Sequence, residues 1–173
     1  MGKFGPLVRF LGLGTGLYII WYVLYEFWLK DHTGLDEWMV RNLIWWTDNI
    51  LLLFGFELWT DVNDVVGNYV GIANGHPLEV GAPCDGIVLL ALFSCFILAF
   101  PGKWKNKLWF MPVGLIAIHL INVLRIFCLA LIIHYKPSAL DFNHDYTFTI
   151  LVYGFVFYLW WIWINKLSPT FAS

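Results

Sequence analysis

Charge is what this chain has least of. Only 13% of its 173 residues are Asp, Glu, Lys or Arg, whereas 60% are hydrophobic and 20% aromatic. An ordinary globular domain carries roughly 25% charged residues, so a soluble protein with a large core is excluded. The net charge is −2 and no basic residues cluster on one face, so no nucleic-acid partner is expected. Cysteine is also scarce. Cys84, Cys95 and Cys128 make no even set and no C-x-x-C pair, which argues against a disulfide framework and a zinc site. Neither a metal nor another cofactor is called for. The length allows one membrane domain over residues 1–173, without room for a separate soluble one.

Long apolar runs are what the chain does have. A bilayer core of ~30 Å needs about 20 helical residues to cross it. "LVRFLGLGTGLYIIWYVLYEFWL" (7–29) follows Lys3 and contains Arg9. It exceeds the 7–15-residue apolar core of a signal peptide, so an uncleaved first helix is expected. Three further strong runs occupy 86–102, 108–133 and 146–164. Segment 43–59 is shorter and carries a polar stripe with Arg41, Asn42, Asp48 and Asn49, which reads as an interfacial or half-inserted helix. The expected fold is therefore all-α: a polytopic membrane bundle of about four spanning helices, one interfacial helix and a small external β-hairpin. The hairpin expectation rests on Tyr69–Ala73, an Asn74-Gly75 turn and Leu78–Val80, since Asn-Gly favours two-residue turns.

Positively charged short loops stay on the cytoplasmic side. Lys103, Lys105 and Lys107 stand between the second and third strong runs, and Lys166 lies near the end. With that loop inside, both termini are inside, and loops 60–83 and 134–143 face outward. Three chemically distinctive residues then share the outer side. Cys84 sits at the exposed start of the second strong helix, where the helix dipole favours a thiolate; many other membrane cysteines, Cys95 and Cys128 included, are apolar fillers. Arg125, in "INVLRIFCLALII", lies roughly 12 Å below its helix's outer end. It either snorkels to the surface or serves a buried function. Asn122, one turn earlier, is placed to hold its guanidinium or to bridge neighbouring helices. His144, preceded by Asn143 as an N-cap, is either a base at a helix start or a surface loop histidine. His119 reads as a packing residue. Nucleophile, base and fixed cation on three successive helices form the set that cysteine acyl transfer requires.

These residues resemble the exosortase/archaeosortase family of membrane transpeptidases. The resemblance rests on "PCDGI" (Cys84–Gly86), "NVLR" (Asn122–Arg125) and "NHD" (His144) in that order, over about residues 80–165. It implies Cys84 as nucleophile, Arg125 as charged stabiliser and His144 as base, with Asn122, Gly86 and Asn143 in support. It further implies a multi-pass protein of a prokaryotic inner or plasma membrane, with the site facing outward and lipid around it. The implied substrates are exported proteins ending in a short motif, an apolar helix and a basic tail. They would be cleaved through a thioester and hydrolysed or transferred to a surface anchor. The competing expectation is a non-enzymatic membrane assembly protein that uses Asn122 and Arg125 as interhelical polar contacts.

Overall fold

The computed structural model describes residues 5–60 and 67–168. Lys3 and positions 61–66 of the loop lie outside them. Five main helices carry the fold. α1 (Gly5–Leu24) runs on through a π-helical turn, Tyr25–Leu29, to His32. α2 is Leu35–Leu53, α3 Ile87–Ala99, α4 Trp104–Tyr135 and α5 Phe148–Ile162. Among the described residues, three helical segments are long and apolar enough to cross a membrane: Leu7–His32, Trp104–Tyr135 and Pro137–Leu167. The fourth expected span is shorter. α3 has 13 residues, about 20 Å of helix, and ends just before Pro101. The architecture is that of a membrane helix bundle with a small two-stranded antiparallel sheet. No residue of α1's apolar window is buried inside the protein, which is untenable in water and natural in lipid.

The chain divides into two compact units: residues 1–34, 87–118 and 154–173 form one, and 35–86 with 119–153 the other. In the first, aromatic rings hold α1, α3 and α5 together. Phe10 meets Phe96 and Phe100 edge-on at 5.4 and 5.1 Å, and Phe96 stacks on Trp160 at 4.3 Å. Gly114 lets α4 close on α3, because a Cβ there would come within 2.2 Å of the fully buried Phe93 ring. The lysine-rich loop is shorter than its composition suggested. The helix begins at Trp104, so Lys105 and Lys107 belong to its first turn. Lys107 is buried and donates from Nζ to Leu98 O at 2.7 Å, satisfying a carbonyl in the last turn of α3.

The second unit packs α2 on the sheet and the later half of α4. α2 starts eight residues earlier than the apolar run at 43 suggested and ends at Leu53; Asp36 and Glu37 in its first turn suit the positive helix end. Met39, Val40, Leu43, Ile44, Thr47 and Leu51 make one buried face, and the exposed side mixes Glu37, Arg41 and Asn49 with Trp38, Trp45, Trp46, Leu52 and Leu53. β1 (Tyr69–Val70) pairs with β2 (Leu78–Glu79) in the register Tyr69↔Glu79 and Val70↔Leu78. On β1's other side, Trp59 N donates to Gly71 O and Ala73 N to Glu57 O. The expected Asn-Gly turn is displaced by one residue. Gly75 N donates to Ile72 O, and Asn74 alone takes a positive φ, 60°, at the third turn position, where Asn is tolerated. Val70, Ile72, Leu78 and Val80 join Ile126, Leu129, Ala130 and Ile133 of α4 in one core.

Candidate active site

The residues 80–86 make the first half of the site. Gly81 is extended, Ala82–Cys84 form a 3₁₀ turn, and α3 begins at Ile87. Between them Gly86 has φ +82°, and a Cβ there would meet Asn122 Nδ2 at 3.0 Å. The glycine of the Cys-x-Gly pattern is thus required twice, by conformation and by space. A left-handed L-residue costs roughly 1–2 kcal/mol before any crowding. Asn122, itself 1% exposed, donates from Nδ2 to Cys84 O at 2.8 Å. It grips the backbone of the cysteine rather than the guanidinium, so of its two expected roles it takes the bridging one. Asn122 Oδ1 is buried without a hydrogen-bond partner.

Cys84 is not the exposed thiol the sequence suggested. It is 9% exposed and belongs to the apolar core of its unit. Burial pushes its thiol above the ordinary cysteine range. The Arg125 charge pulls the other way, neighbouring Asp85 pushes up, and the hydrogen bond with the Gly81 backbone pulls down. Desolvation wins over the expected helix-end effect, because only a short 3₁₀ turn stands there. Cys84 therefore rests as a neutral thiol that needs a base.

An imidazole stands beside it. Cys84 Sγ lies 3.3 Å from His144 Nε2, and Arg125 Nη2 donates to the same nitrogen at 3.3 Å. A guanidinium only donates, so Nε2 is the unprotonated acceptor and Nδ1 carries the proton. Nδ1 donates to Asp145 Oδ1 at 2.9 Å. Asp145 is 63% exposed, so this contact orients the ring through hydrogen-bond geometry more than through Coulomb energy. Asp145 stands in "NHD", a pattern that assigns it no role of its own. Neighbouring side chains of a regular helix point apart, and nothing in the sequence announced the π-helical turn Asn143–Thr147 on which both stand.

That turn also corrects two expectations. The helical segment begins at Pro137, so His144 is not at a helix start, and Asn143 is no N-cap. Its Nδ2 donates to Ala139 O at 2.8 Å, one turn back. Arg125 is 8% exposed with its Nε buried and unpartnered, so it does not snorkel to the surface. No hydrogen bond links His119 to the cluster among the described residues. Cys95 and Cys128 lie within α3 and α4, as apolar fillers would. Among the described residues no group of His, Cys, Asp and Glu could hold a metal ion.

A cavity of about 300 Å³ opens beside the thiol, lined by Cys84 and His144, by Ile126, Leu129 and Ile133, and by residues 77–79 and 140–141. Of the hydrogen-bonded cluster, Cys84 and His144 thus line this largely apolar hollow, with Glu79 and Asp141 among the other lining residues. A family model described as a transmembrane exosortase matches residues 7–164, reaching well into the amino-terminal half, where no motif was found. No curated protein and no solved structure matches.

Proposed function

This chain belongs to the transmembrane exosortase family, and we propose that it is a cysteine transpeptidase or peptidase acting on exported proteins. Its substrates would carry a short carboxy-terminal motif, an apolar helix and a basic tail. The observation that supports this reading most is the pair of 3.3 Å approaches, from Cys84 Sγ and Arg125 Nη2, to one nitrogen of His144. In the proposed step the thiol proton passes to Nε2 as sulfur attacks the scissile carbonyl. The oxygen, now negative, is stabilised by Arg125, whose planar donors suit an oxyanion. Collapse expels the amine, which takes the proton from His144 and leaves a thioester on Cys84. An incoming amine, hydroxyl or water, deprotonated by His144, releases the product. Asp145 keeps the ring in the tautomer this sequence needs.

The protein itself would reside in a prokaryotic inner or plasma membrane with the site outward. A single cysteine introduced at Asn106 should then react with impermeant maleimide only from the cytoplasmic side, and one at Asn74 only from outside. Reaction of both from the same side sinks this orientation.

The reading as a whole is tested by trapping. The full chain in lipid vesicles, mixed with an exported protein of the stated type from the same genome, should accumulate an acyl adduct on Cys84. Hydroxylamine should release it as a hydroxamate. Substrate cleaved with no adduct, and with hydroxylamine absent from the product, rules out the thioester.

A further inference from the structure

Among the described residues the outer edge of β2 is unpaired, and it borders the cavity. Val80 N donates to Asn68 O at 2.8 Å, so residues 68 and 80 form a hydrogen-bonded pair. Hydrogen-bonded and open pairs alternate along an antiparallel ladder. Tyr69↔Glu79 is therefore an open pair, and the N–H and C=O of Glu79 point away from β1. No described residue bonds either group. Residues 57–59 pair with 71–73 just beyond β1, on the side away from β2, and β2 carries the free edge that borders the cavity. Pro77, Leu78 and Glu79 line the same hollow as Cys84 and His144.

We propose that the acyl side of the substrate binds as a short extended strand on the outer edge of β2, with one uncharged aliphatic side chain in the cavity. This rests on the reading of Cys84 as nucleophile. Strand addition to a free edge supplies affinity from main-chain hydrogen bonds, while pockets for alternate side chains supply selectivity. The edge is short. Pro77 has no N–H to donate and Gly81 O already accepts from Cys84 N, so the usable groups are Pro77 C=O and both groups of Glu79. About three substrate residues fit that ladder. Ile126, Leu129, Ile133 and Leu140 make the hollow suit a branched aliphatic group. Glu79 and Asp141 are among the residues that line it, so a substrate residue with its own carboxylate meets like charge there.

Peptide chloromethyl ketones test this without the natural substrate: the Cys84 sulfur displaces chloride to form a thioether, and the thiol proton goes to His144. The full chain in vesicles is treated with acetyl-Ala-Ala-Leu and acetyl-Ala-Ala-Glu chloromethyl ketones, with copies N-methylated at a backbone amide, and with iodoacetamide. The leucine peptide should label Cys84 about 10-fold faster than the glutamate peptide. Backbone N-methylation should slow the leucine peptide about 10-fold, the value of one or two lost main-chain hydrogen bonds. Glu79→Gln with Asp141→Asn should narrow the leucine-to-glutamate ratio to within a few-fold. Equal rates for parent and every N-methylated peptide overturn the strand, and an unchanged ratio in the double variant overturns the role of the carboxylates. Both can happen while the catalytic reading stands, provided iodoacetamide labelling of Cys84 still falls in His144→Ala. If that labelling does not fall, the catalytic reading fails and the strand inference falls with it.

Discussion

Cys84→Ala protein is expected to accumulate in the membrane like its parent and to process no substrate. The loss should be complete within detection, because removing the nucleophile of a comparable triad costs roughly 10⁶ in kcat. The fold should survive. Deleting one buried sulfur from a 9%-exposed position costs on the order of 1 kcal/mol. The bond from Asn122 goes to the backbone carbonyl of residue 84, which alanine keeps. Cys95→Ala and Cys128→Ala should process substrate within a few-fold of the parent, since among the described residues neither sulfur has a hydrogen-bond partner. Pulse-labelling of substrate maturation in cells, with membrane-fraction immunoblots for each variant, gives the answer. Maturation by the Cys84→Ala protein would remove cysteine catalysis altogether.

Arg125→Lys should be the next most damaging change, although it keeps the charge. Arg125 Nη2 reaches His144 Nε2, and its Nε is buried without a hydrogen-bond partner. Lysine offers one mobile ammonium and cannot hold that nitrogen and an oxyanion together. Losing one oxyanion donor typically costs ~100- to 1,000-fold in rate, and a loss of at least ~100-fold is expected here. Arg125→Gln adds a second, substrate-free readout. Burial has already raised the thiol and the arginine charge works against it. Without that charge the thiol rises further, less thiolate exists at any pH below it, and alkylation of Cys84 slows at fixed pH. Arg125→Lys should alkylate nearer the parental rate, because the Coulomb effect survives while the fork does not. An Arg125→Lys protein that also processes substrate within a few-fold of the parent would make the arginine a mere fixed charge.

The long apolar helices and the three chemical residues were legible because each is written in local composition. Runs of Leu, Ile, Val and Phe announce lipid-facing helices, and a lone arginine within one is conspicuous wherever it folds. What was illegible depends on neighbours distant in sequence. Burial of Cys84 is decided by Val40, Ile44 and Ile126 packing into its core, and burial reversed the shift expected from the helix end. Asn122 was read toward Arg125, one turn away, or toward a neighbouring helix, and only the fold shows its amide on the carbonyl of residue 84, 38 positions earlier. The glycine at 86 carried a motif whose reason, a positive φ against Asn122, only the folded chain reveals. Asp145 was invisible as a partner because ordinary helical geometry turns adjacent side chains apart.

The π-helical turn beneath His144 has a consequence for how relatives should be compared. Its closing bond runs from Phe148 N to Asn143 O, five residues apart, so it holds one residue more than an α-turn would. Buried Phe148, Val152 and Val156 then follow His144 at intervals of four. In a regular α-helix each such step drifts by about 40°, since 3.6 residues complete a turn. The extra residue takes up part of that drift between the histidine and the packed stripe. In gene-level terms the turn is a one-codon insertion. Losing a single codon among 145–147 would swing the stripe about 100° around the helix axis relative to His144. A homologue with an uninterrupted helix should therefore align with a one-residue gap just after this histidine.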